Sequence, residues 1–90
     1  MKTLAKALIY TAAFLELSGE DVISLDGSVK ALEQIGYNLQ SASPEELLAL
    51  REALQEVTAA ERAGCARPDV LSFYEQFMEA FGLADEESQP

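Results

Sequence analysis

The chain has 90 residues, with 16 acidic against 6 basic side chains, a net charge of −10, one cysteine and no histidine. So acidic a surface repels nucleic-acid phosphates and anionic lipid headgroups, which removes nucleic acid and membranes from the expected partners. Without histidine the commonest general base and the commonest metal ligand are missing as well.

About half the residues are apolar (49%), so the chain reads as one small folded domain over residues 1–83, followed by a frayed acidic tail at 84–90. Lys2 and Lys6 precede an apolar run from Ala7 to Leu15, which has the outline of a signal peptide. Glu16 closes the run, Leu17-Ser18-Gly19 is a poor cleavage site, and a spanning helix needs about 20 apolar residues. The segment is therefore expected to be a core helix of a cytoplasmic protein.

The first predicted helix runs from Thr3 to Leu17, with Gly19 as its stop. Leu4, Ala7, Leu8, Ile9, Phe14, Leu15 and Leu17 surround most of its circumference. Such a helix is either central in a bundle or half of a subunit interface, so a homodimer is one expectation. The second helix, Leu25 to Gln40, starts at a cap supplied by Ser24 or Asp26 and carries Val29, Leu32, Ile35, Gly36 and Leu39 on one stripe. Gly36 costs about 1 kcal/mol of helix propensity relative to alanine, which either a close crossing or simple tolerance would explain.

The third start is the sharpest signal. Ser43-Pro44-Glu45-Glu46 places serine at the N-cap, proline at the first helical position and glutamate at the third. Leu47, Leu50, Leu54 and Val57 follow at three-four spacing until Gly64. The fourth helix opens at Pro68 with Asp69 in its first turn, lines up Val70, Phe73, Tyr74, Phe77 and Phe81 beside Leu71 and Met78, and stops at Gly82. Short connections make successive helices antiparallel. The predicted fold is all-α, a compact antiparallel four-helix bundle.

Catalytic patterns are missing. There is no P-loop and no dinucleotide glycine motif, while Ser-His-Asp triads, Cys-His pairs and Cys/His zinc sites all require histidine. The Glu-x-x-His of carboxylate di-metal bundles is absent for the same reason. Glu20-Asp21 and Asp26-Gly27 do not fit a calcium loop, since Val22, Ile23 and Leu25 fill its middle; helix capping accounts for Asp26. Cys65 has no disulfide partner and no histidine to activate it, so it reads as an ordinary thiol. No enzyme activity, cofactor or metal is expected.

Two carboxylate pairs, Glu52 with Glu56 and Glu75 with Glu79, share helix faces at four-residue spacing. Every basic residue lies at or before Arg67, so the last helix and tail carry acid only, which reads either as a solvated face that serves solubility or as a docking surface for a basic protein. Tyr10, Tyr37 and Tyr74 are candidate interface anchors, although a core position is the simpler reading of each. Tyr74 joins the four carboxylates as a candidate contact.

In size, acidity and helical plan the chain resembles the small helical immunity proteins of bacterial toxin systems, a likeness of overall character and not of motif; stretches such as Ser43-Pro44-Glu45-Glu46-Leu47-Leu48 and Phe73-Tyr74-Glu75-Gln76-Phe77 fit many helical proteins. The resemblance implies a cytoplasmic inhibitor that binds a secreted basic toxin. The immunity proteins of nuclease colicins carry adjacent tyrosines in a short helix; here the tyrosines are scattered and Arg67-Pro68-Asp69 opens a full helix. No binding residue carries over.

Overall fold

The structure is a computed structural model that describes residues 1–83; the expected acidic tail at 84–90 lies outside the described residues. It is an all-α four-helix bundle, with α1 over Lys2–Leu17, α2 over Leu25–Leu39, α3 over Pro44–Ala63 and α4 over Pro68–Ala80. The predicted boundaries hold to within two residues.

Local chemistry sets each boundary. Ser24 Oγ accepts from the Gly27 N–H, so Ser24 caps α2, while Asp26 sits in the first turn and pairs with Lys30. At Ser43 the full capping box forms: the Glu46 N–H donates to Ser43 Oγ, and the Ser43 N–H donates to Glu46 Oε1. The turn between α3 and α4 is held by Glu61, whose carboxylate accepts from the Arg67 backbone N–H and from two nitrogens of its guanidinium. That clamp lets Ala66 sit at φ 52, an unusual value for a residue with a side chain. After α4, the N–H of Gly82 (φ 73) donates to the Glu79 carbonyl and that of Leu83 to Met78, a Schellman ending.

The core follows the stripes read from the sequence. Leu47, Leu50, Leu54 and Val57 of α3 meet Ile9 and Ala12 of α1 and Val70, Tyr74 and Phe77 of α4, with Leu83 closing one end. Phe77 is fully covered, its ring edge-on to Phe73 at 5.6 Å and tilted against Phe81 at 4.8 Å. Helix α1 is central: it packs on α2, α3 and α4. It also keeps Leu4 (76% exposed), Tyr10 and Phe14 in solvent, so its apolar surface exceeds what the bundle covers.

Helix α2 is held differently. Its backbone comes close to α1 but to neither α3 nor α4. Leu32, Ile35 and Leu39 pack against the buried core, and two further ties run to the residue after α4: Gly36 faces the Phe81 ring, and the Gln40 side-chain amide donates to the Phe81 carbonyl at 2.9 Å. A β-carbon at Gly36 would lie 3.2 Å from Phe81 Cδ1, so the glycine sits at a close approach. Open grooves flank α2 on both sides. No helix of the described residues is long and apolar enough to cross a membrane.

Candidate functional site: an acid-rimmed groove

Lys2, Lys6, Lys30, Arg62 and Arg67 form surface ion pairs with acids of the same chain. Lys2 and Lys6 both reach Glu56, at 2.6 and 2.7 Å, tying the start of α1 to the middle of α3. Hydrogen bonds from Lys2 and then Lys6 hold the Glu56 carboxyl down to about 2, from an ordinary 4.5, and the bond to Glu56 raises Lys2 in turn. Arg67 lowers Glu61 to about 2, chiefly through side-chain hydrogen bonds. Arg62 of α3 pairs with Glu75 of α4.

These pairs redraw the expected docking face. Along the sequence α4 has no compensating base, but the α3–α4 hairpin brings Arg62 against Glu75. Glu56 is likewise engaged by two lysines. Glu52 and Glu79 are exposed and enter none of the ion pairs among the described residues. All four carboxylates are exposed, and each predicted pair divides into one member held in an ion pair and one that enters none among the described residues. Tyr74 is 6% exposed and belongs to the core, where burial pushes its phenol up. Tyr37 and Tyr10, by contrast, are 75% and 53% exposed.

The larger groove beside α2, about 670 Å³, runs between α2 and α4. Val29, Leu32, Gly36 and Tyr37 form one wall, Ser72, Phe73, Gln76 and Ala80 the other, and Leu17 and Phe81 complete the apolar lining. Its charged lining is acidic throughout: Glu16 from α1, Glu33 from α2 and Asp69 from α4. None of these three enters the ion pairs above. The groove on the other side of α2, about 450 Å³, is lined by Leu4, Leu8, Ile35, Leu39 and Leu47. Glu46, its one charged side chain, is occupied in the capping box.

Sequence reasoning missed the groove residues, and for a physical reason. Glu16, Glu33 and Asp69 come from three different helices, so no spacing along the chain links them. The usable signal was the Val29–Leu32–Gly36 stripe, which marked an apolar face without saying what lies opposite it.

Among the described residues no group of three His, Cys, Asp or Glu side chains is arranged to hold a metal ion. Cys65 is a free, exposed thiol in the α3–α4 turn. No family model, curated protein or solved structure matches the chain.

Proposed function

We propose that the protein is a non-catalytic binding module for a basic protein partner; in the specific form suggested by the family resemblance, it is a cytoplasmic inhibitor that covers the basic cleft of a bacterial toxin. The observation that carries this reading is the distribution of charge. Lys2, Lys6, Lys30, Arg62 and Arg67 are paired with acids of the same chain, whereas Glu16, Glu33 and Asp69 around an open apolar groove enter no ion pair among the described residues. Uncompensated acid steers a basic partner from a distance, and an apolar contact then desolvates and holds it.

The test begins with affinity purification from the native cell and continues with association rates of the recovered partner. A basic partner is expected, with an on-rate that falls steeply as ionic strength rises past ~0.1 M, where the screening length is about 10 Å. An acidic partner, or an on-rate indifferent to salt, refutes the reading.

A second reading, a dimeric subunit without catalytic activity, is favoured by one observation: Leu4, Tyr10 and Phe14 of α1 are each more than half exposed. Light scattering at high concentration separates the two, since this reading requires a dimer that Tyr10→Lys with Phe14→Lys disrupts.

A further inference from the structure

We propose that the groove between α2 and α4 is the docking site for a basic amphipathic helix of the partner, an inference that rests on the reading of the molecule as a binding module. The wall on α2 is built from positions 29, 32, 33, 36, 37 and 40, and the wall on α4 from 69, 72, 73, 76 and 80. Each wall therefore presents one helical face over three turns, about 16 Å at 1.5 Å per residue. A guest helix of three to four turns matches that length and inserts anchors at i, i+3, i+4 and i+7. The described residues contain no strand, so no sheet edge is offered to an extended peptide.

The floor and rim specify the guest's chemistry. Leu32, Phe73 and Phe81 are half-buried and present leucine and ring surface to an apolar anchor. Glu16, Glu33 and Asp69 stand around them with no lysine or arginine in the lining. The guest accordingly carries leucine or phenylalanine on one face and lysine or arginine on its flanks, the charges setting on-rate and register. A second copy of this chain is a poorer occupant. Its Lys2, Lys6, Arg62 and Arg67 are engaged by its own acids, and two chains of net charge −10 repel.

The probe is a labelled synthetic helix of about 18 residues, with leucine and phenylalanine on one face and lysine on the other, followed by fluorescence anisotropy. It is expected to bind the native protein, and its Lys→Glu counterpart is not. Glu16→Lys with Glu33→Lys should weaken binding at least ~10-fold, and Glu52→Lys with Glu79→Lys, which changes net charge equally, by less than ~3-fold. Gln76→Trp, at an exposed wall position, should fill the groove and also cost at least ~10-fold, with helix content by circular dichroism unchanged. Equal weakening by the two charge-reversed proteins overturns the groove while leaving the binding-module reading in place. Failure of the basic helix to bind at all overturns the groove proposal, whereas the binding-module reading falls only if the partner recovered from the cell is acidic or associates at a salt-independent rate. A native protein that sediments as a dimer, and that Gln76→Trp makes monomeric, overturns the proposal in favour of a second copy in the groove.

Discussion

Helix α3 turns Leu47, Ala49, Leu50, Ala53, Leu54 and Val57 inward, whereas α2 buries Ser28 alone and leaves Leu25, Val29 and Tyr37 in solvent. Both helices carry an apolar stripe and a serine N-cap. They differ in what the fold puts against the stripe. Helix α3 lies against α1 and α4, so its leucines are covered from two directions; α2 leans on α1 and on the Phe81 ring. An amphipathic pattern says that a face is apolar, and tertiary contacts decide whether the chain covers it. In α2 the cover is incomplete, and the uncovered part forms the acid-rimmed groove.

The widest gap between the two regions should appear in core truncations. Phe77→Ala removes a fully covered ring packed against Phe73 and Phe81, and should cost about 3–5 kcal/mol in urea denaturation. Leu32→Ala on the half-buried stripe of α2 should cost about 1 kcal/mol, because much of its side chain still meets water in the folded state. Similar losses at the two positions would erase the distinction. Native-state hydrogen exchange sharpens it: α2 amides should exchange through local openings, while those of α3 near Leu50 and Ala53 wait for global unfolding.

The caps give a smaller contrast. Ser43→Ala removes the acceptor of the Glu46 N–H and leaves the other half of the capping box, the residue-43 N–H to Glu46 Oε1, in place, so a loss of about 1 kcal/mol is expected. Ser24→Ala removes a single cap bond from the loosely held helix and should cost about 0.5 kcal/mol. Chemical denaturation of the two variants side by side checks the order; a costlier Ser24 would mean that α2 contributes more to the bundle than its burial implies.

The caps and glycine stops were legible in the sequence because they act within a few residues. Ser43-Pro44-Glu45-Glu46 set the start of α3, and Gly82 set the end of α4 with the φ of 73 that a Schellman ending needs. The leucines at 47, 50 and 54 were legible as core for a similar reason: their spacing is the helix period. Charge pairing was not legible, since Glu56 meets Lys2 across 54 positions and Glu75 meets Arg62 across 13. For the same reason the docking face read from Glu52, Glu56, Glu75 and Glu79 gathered tied and untied carboxylates together. Among the tyrosines the sequence could not rank exposure, and Tyr74 went to the core while Tyr37 went to the groove rim.

The α3–α4 turn is expected to respond to acid. Glu61 is held down to about 2, mainly by its hydrogen bonds from Arg67, against an ordinary 4.5. A carboxyl lowered by folding contributes its full stabilisation above its unfolded value and loses it as pH falls. The contribution should therefore be complete above about 4.5 and fade toward 2, as protonation takes the charge from the Arg67 clamp. Melting temperature against pH should show a steeper acid limb in the native protein than in Glu61→Gln. Parallel limbs would mean that the clamp is equally present in the unfolded chain.

The smallest expected effect decides why α2 contains Gly36. If the glycine were only tolerated, Gly36→Ala would stabilise the protein by about 1 kcal/mol through helix propensity. The new methyl instead meets Phe81 Cδ1 at 3.2 Å, and that ring packs tilted against Phe77 with its backbone carbonyl bound by Gln40. The ring must shift by a few tenths of an ångström against those two restraints, which offsets most of the propensity gain. The expected net change in urea denaturation is within about 0.5 kcal/mol of the native protein. Gly36→Leu should go further, displacing Phe81, loosening the contact between α2 and the end of α4, and raising hydrogen exchange along α2. A clear stabilisation by Gly36→Ala would make the close approach incidental and leave α2 free to move without reference to Phe81.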